Sequence, residues 1–187
     1  MDFTGRVIII TRAARGLGRP CAKRFYELGA SVAVNVRDQA RADEVASALG
    51  ARALAVPGDI TADGIPTEIV GKTLERFGRV DILVNNAAHA RSTRFEALGA
   101  EEWRLALETN MTAPFLLMKA ALPAMRAQSY GRTINISSSA GRSVSTLGGA
   151  HYPASKTGLL GLTGAAAKEL GKVGVTVNAI CPGMIDT

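Results

Sequence analysis

The sequence predicts an α/β domain built on a doubly wound parallel sheet. Short β-branched runs alternate with longer segments of helical period, which is the pattern of a parallel sheet covered on both faces. No repeat, low-complexity tract or linker interrupts the series. The size agrees, since 187 residues that are 47% hydrophobic suffice for one domain around a single core. The whole span 1–187 is therefore read as one domain.

Strands are expected at 7–10, 31–36, 53–56, 82–85, 133–137 and 175–180, with helices between them. The first helix follows from Leu17, Cys21, Phe25 and Leu28, which recur at three to four residues, with Gly29 as a natural stop. Pro20 falls in its first turn, where a missing N–H is tolerated. After the sixth strand only "CPGMIDT" remains, so a missing element or another subunit is expected to cover that edge.

The formal net charge of +6 would suit an acidic partner, but the 22 basic residues are scattered and no like-charge run exceeds two. A solvated, arginine-rich surface is the expectation, and no motif places arginines on a groove-reading element, so nucleic acid is not an expected partner. Cys21 and Cys181 lie far apart with no CxxC pair or histidine cluster, and neither a disulfide framework nor a metal site is expected. No signal-peptide pattern and no run approaching the roughly 18 apolar residues of a membrane span is visible. A cytoplasmic protein without a membrane partner is expected.

Between the first strand and the first helix stands "ITRAARGLG", residues 10–18. A strand, a glycine-rich turn and a helix N-terminus together make an anion site, because backbone N–H groups approach phosphates there and the helix dipole adds positive charge. Gly16 and Gly18 sit where the backbone comes close and where the helix packs on the sheet. At the tip of the second strand, "AVNVRDQ", an acid would select a free ribose 2′-hydroxyl and an arginine a 2′-phosphate. Val36 occupies the acid's place and Arg37 follows it, while Arg15 approaches from the glycine turn. The reading is NADP(H) preferred, with NAD(H) as the second option. Asp38, the competing signal, reads as a turn or N-cap residue.

Further on, Tyr152 and Lys156 stand four residues apart, on one face of a helix. A tyrosine with a reference pKa of about 10 becomes a useful proton donor when an ammonium beside it stabilises the phenolate. Upstream, "INISSSAG" ends a strand in consecutive serines at the edge where ligands bind in open α/β sheets, and a serine hydroxyl there can polarise a carbonyl. His89 and His151 read as loop residues that the chemistry does not need.

Taken together, these motifs resemble the classical short-chain dehydrogenase/reductase family. The match runs in family order across essentially the whole chain: "TRAARGLG", "GDI", "NNAA", "ETN", "ISSSAG", "YPASK" and "CPGMIDT". The resemblance implies a Rossmann fold, and it is nearest in general character to 3-oxoacyl-thioester reductases. It implies that Tyr152 exchanges the proton and that Lys156 binds the nicotinamide ribose and lowers the tyrosine pKa. Ser138 would hold the substrate oxygen, with Ser139 as the alternative, and Asn110 would position a water in a proton relay. Thr11, Arg12, Arg15, Gly16, Leu17 and Gly18 would form the cofactor turn, and Arg37 would meet the 2′-phosphate. Asp59 and Ile60 would receive the adenine, Asn85 and Ala87 would line the adenosine side, and Pro182, Gly183 and Thr187 would approach the nicotinamide.

The expected reaction is hydride transfer between the nicotinamide and a small ketone or secondary alcohol. The segments "ETNMTAPFLLMKAALPAM" and "YPASKTGLLGLTGAAAKEL" form the family's dimer interface, which implies a homodimer or homotetramer. Two departures stand out. Arg12 replaces the first glycine of the turn, and a φ > 0 there costs a non-glycine residue on the order of 1–2 kcal/mol, so weakened cofactor binding is expected. The family's lid and seventh strand are absent, which suggests C-terminal truncation. The alternative reading is a catalytically silent Rossmann module that binds a nucleotide or a partner subunit.

Overall fold

The computed structural model describes residues 1–143 and 149–185. Six parallel strands form one sheet: β1 (Val7–Thr11), β2 (Ser31–Val36), β3 (Ala53–Pro57), β4 (Ile82–Asn85), β5 (Gly131–Ile136) and β6 (Val175–Ile180). Between them run α1 (Gly18–Glu27), α2 (Gln39–Leu49), α3 (Ile65–Phe77), α4 (Ala100–Leu107), α5 (Ala113–Ala127) and α6 (His151–Leu170). The strand order is β3-β2-β1-β4-β5-β6. The chain therefore winds outward from β1 to one side, then returns to β4 and winds to the other. The crevice beyond the carboxyl ends of β1 and β4 is the topological switch point, where open α/β sheets bind ligands.

Alternation along the strands divides the core into two layers. Ile8, Ile10, Val32 and Val34 pack with Ala22 of α1 and Val45 of α2 on one face. Ile9, Ala33 and Leu83 pack with Ile69 of α3 and Leu117 of α5 on the other. All these side chains are buried, and helices on both faces explain why β1 reads as a continuous apolar run. Pro57 is accommodated because β3 is an edge strand, where a missing N–H breaks no ladder.

β5 begins two residues before its expected start. Gly131 and Arg132 are poor strand formers, but they pair with Val175 and Thr176 of β6, and the pairing overrides local propensity. At the amino ends of the strands, the fully buried Asp81 carboxylate accepts from Arg6 at 2.8 Å, from Arg79 at 2.7 Å and from the Val7 N–H at 2.9 Å. Burial raises its pKa, but these donors outweigh that and hold it below the usual carboxylate value.

Candidate active site

β1 ends at Thr11, and the chain turns at Arg12 with φ +54° and again at Gly16 with φ +53°. Position 12 therefore adopts the left-handed conformation that favours glycine, and an arginine holds it. Its guanidinium donates to the Ala88 carbonyl at 3.0 Å, reaching from the end of β1 to the loop after β4. Gly18 opens α1 where a Cβ would come within 2.7 Å of Asn86 Nδ2, so close packing requires glycine there. α1 carries no side-chain cap and no acid in its first turn, which leaves its N-terminal donors and dipole available to an anion.

Two adjoining clefts meet at this turn. The first, about 530 Å³, is lined by Arg12, Arg15, Arg37 and Arg41, with Asp59, Ile60 and Ala87. Burial, followed by repulsion from Arg15 and Arg37, lowers the pKa of Arg12, so the cleft holds more positive charge than it neutralises. Asp59 turns back to accept from the Thr61 N–H and hydroxyl, at 3.0 and 2.8 Å, while Arg37 lies 3.9 Å from its other oxygen. Asp38 is the N-cap of α2, accepting from the Arg41 N–H at 2.9 Å, as its local reading anticipated.

The second cleft, about 540 Å³, shares Arg12 and Arg15 and adds Gly16, Leu17, Ser138, Tyr152, Pro182 and Gly183. Ser138 ends the loop after β5, where its hydroxyl accepts from the Ala140 N–H at 3.1 Å. Ser139 is instead exposed, and its N–H donates to the Pro182 carbonyl. Lys156, one turn beyond Tyr152, is almost wholly buried. Its ammonium donates to the Ile136 carbonyl at 2.6 Å and lies 5.8 Å from the centroid of the Tyr152 ring. Burial and then the Arg12 charge push the Lys156 pKa down to about 8, partly opposed by Cys181.

Asn110 lies in a π-helical turn, Glu108–Thr112, between α4 and α5. Such turns recur at functional sites because the widened backbone re-aims a side chain. Its amide accepts from the His89 N–H at 2.7 Å and donates to the His89 carbonyl and to Ser155 Oγ, both at 2.9 Å. Ser155 in turn donates to the Tyr152 carbonyl. Asn110 thus ties the loop after β4 to the start of α6. Beside it His151 is fully buried, and desolvation lowers its pKa, opposed by Glu102 and reinforced by His89.

A family model described as short chain dehydrogenase matches residues 6–187. The chain belongs to the short chain dehydrogenases. It is 38% identical over 189 residues to a 3-oxoacyl-[acyl-carrier-protein] reductase of Synechocystis sp., covering 99% of this chain and 76% of the relative. It is also 39% identical over 194 residues to the (2S)-[(R)-hydroxy(phenyl)methyl]succinyl-CoA dehydrogenase subunit BbsD of Thauera aromatica, covering 100% and 76%. A crystal structure described as a short-chain alcohol dehydrogenase of Sinorhizobium meliloti superposes with a TM-score of 0.93 at 32% identity, covering all of this chain and 75% of the other.

In this short chain dehydrogenase most residues expected at the site converge on the two clefts, and some do not. Asn85, expected at the adenosine side, is buried within the sheet and donates to Asn135 at 2.8 Å, which continues to Thr163 at 2.9 Å. Neighbouring Asn86 reaches the turn instead, donating to the Thr11 carbonyl at 3.0 Å. Thr11 is buried too, and its hydroxyl accepts from the N–H groups of Asn86 and Ala87, so it shapes the crevice from behind. Alternation at the end of β4 is the signal that separates the two asparagines, since adjacent side chains point oppositely. Arg41 also went unread; it follows the Asp38 cap, so the first turn of α2 carries it to the cleft. Thr187 lies outside the described residues.

Proposed function

We propose that this chain is an NADP(H)-preferring oxidoreductase that interconverts a ketone and a secondary alcohol, with NAD(H) the poorer cofactor. The observation that carries the reading is the convergence of Ser138 and Tyr152 on one cleft, with the Lys156 ammonium behind the tyrosine and an arginine-lined cleft alongside. The residues present fit a phosphorylated dinucleotide: mutual repulsion among Arg12, Arg15 and Arg37 is relieved by an anion, and Gly16 has open space above its Cα. Arg15 and Arg37, with Arg41, would hold the 2′-phosphate end, and Pro182 and Gly183 would flank the nicotinamide end.

When bound, the nicotinamide supplies or accepts the hydride. Tyr152 donates its proton to the carbonyl oxygen during reduction, and Ser138 donates a hydrogen bond to the same oxygen as charge builds there. The Lys156 ammonium favours the phenolate left behind. Asn110 acts through position: its side chain is committed to His89 and Ser155, so a relay water falls to its main-chain carbonyl.

The names of both relatives carry acyl thioesters, which supports a 3-oxoacyl thioester as the substrate class. Exposed Phe115 and Leu116 on α5, one of the two segments expected at the interface, support a homodimer or homotetramer. Two free cysteines suit the cytoplasm, and among the described residues no helix is long and apolar enough to cross a membrane.

The test is titration with NADPH and NADH by fluorescence and calorimetry, followed by reduction of acetoacetyl-CoA. NADPH should bind more tightly than NADH, and Arg37→Ala should narrow the gap. Tyr152→Phe should keep NADPH binding and lose at least about a hundredfold in turnover. Failure to bind either cofactor would favour the silent-module reading.

A further inference from the structure

At the edge of the first cleft, whose lining includes His89, lies a cluster of donors that the proposed reaction does not use. His89 comes from the loop after β4, Glu102 from the first turn of α4, and His151 from the first position of α6. One ligand atom from each lies within 4.8 Å of the other two. Nε2 of His151 stands 3.6 Å from Glu102 Oε1, and Nε2 of His89 stands 3.9 Å from the same oxygen. The imidazole rings are 5.9 Å apart and tilted by 51°. Both separations from the carboxylate are too long for a hydrogen bond.

Three nitrogens here have no partner among the described residues. His151 is fully buried with Nδ1 and Nε2 both unpaired, and the buried Nε2 of His89 is unpaired as well. Unsatisfied buried polar atoms are rare in folded proteins, and each calls for a ligand or another explanation. The surroundings also hold the donors in place. Thr93 donates its hydroxyl to Glu102 Oε1 at 2.8 Å, the kind of supporting bond that orients a ligating carboxylate. Asn110 clamps the His89 backbone from both its N–H and its carbonyl. At Gly149 a Cβ would come within 2.7 Å of His151 Cε1, so the ring occupies space that only glycine leaves free.

We propose that His89, Glu102 and His151 form a binding site for a divalent transition-metal ion of the Zn²⁺ type, distinct from the dinucleotide clefts' chemistry. Two imidazoles and one carboxylate are a borderline-soft donor set that suits Zn²⁺ better than Mg²⁺ or Ca²⁺, which prefer oxygen throughout. Tetrahedral Zn²⁺ with ligand bonds near 2.0–2.1 Å needs donor separations of about 3.4 Å. The two distances to Glu102 reach this with shifts of a few tenths of an ångström, and rotation of the His89 ring closes the third side. A fourth position is left to water. The ion would join the β4 loop, α4 and the start of α6, and so fix the turn that carries Tyr152.

The sequence hides this site because the donors come from three separate segments with no ligand spacing among them. The test uses untagged protein treated with a chelator and dialysed. Titration with Co²⁺ should produce intense visible d–d absorption of a tetrahedral site, saturating at one equivalent and displaced by Zn²⁺. Zn²⁺ should raise the unfolding temperature of the wild type. Glu102→Gln and the partly exposed His89→Ala, both checked for folding by circular dichroism, should bind at least about tenfold more weakly and lose the Zn²⁺-dependent thermal shift. The Cys21→Ser/Cys181→Ser double variant should bind as the wild type does. Absence of Co²⁺ absorption in the wild type, equal binding by folded Glu102→Gln, or loss of binding in the double cysteine variant would each overturn the proposal.

Discussion

Lys156→Met removes the buried ammonium while keeping most of the side chain's volume. The structure sets opposing contributions on this exchange. The wild-type amine is held at a pKa of about 8 against 10.5 when free, so at pH 7 burying its charge costs the fold about 3 kcal/mol. Methionine relieves that cost but leaves the Ile136 carbonyl without its donor, a loss of roughly 1–2 kcal/mol. The variant should therefore be more stable than the wild type at pH 7 by about 1–2 kcal/mol. Because the folded pKa is depressed, the unfolded chain binds the extra proton between pH 8 and 10.5, and the lysine's penalty shrinks as pH rises through that window. By pH 9.5 it falls to about half, and the variant's advantage disappears. Urea unfolding of both proteins between pH 7 and 9.5 measures the difference. A stability difference that stays constant or widens across this range would refute the assignment of a charged, desolvated lysine at this position.

At the glycine turn, Arg12→Gly relieves the positive φ but loses the bond to Ala88, whereas Arg12→Ala loses the bond and keeps the strain. The glycine variant should be more stable than the alanine variant by about 1 kcal/mol in urea midpoints. Asp81→Asn should cost about 1–2 kcal/mol at pH 7, because two half-exposed arginines lose their buried partner but remain solvated. The depressed carboxyl contributes its stability above about pH 4 and loses it as pH falls through the folded pKa, so the gap between wild type and variant should close in acid unfolding. Asn110→Ala should abolish slow hydrogen exchange at the His89 amide and lower stability by about 2–3 kcal/mol.

Much of the fold was legible because its signals are local. "VIII" before a glycine turn, Gly29 after the apolar stripe of α1, and "ILVN" at β4 each declare their own element through period and stop residues. The start of β5 was not legible, since Gly131 and Arg132 become strand only by pairing with β6, a partner far along the chain. The candidate site divides in the same way. Tyr152 and Lys156 share a helix face by spacing alone, and Gly16 and Gly18 share one turn. Asn85 against Asn86 depended on which side of β4 each faces, and Arg41 depended on how α2 leaves its cap.

By itself, then, the sequence determined the α/β class, the run of strands and helices, and the family motifs, because each rests on residues within a turn or two of one another. Only the tertiary structure decided that position 12 stands at positive φ, that the Lys156 ammonium is buried and its pKa lowered, and that His89, Glu102 and His151 meet around unpaired nitrogens. Those outcomes arise from backbone conformation, burial and proximity, which depend on packing between segments distant in the chain and leave no mark in local spacing.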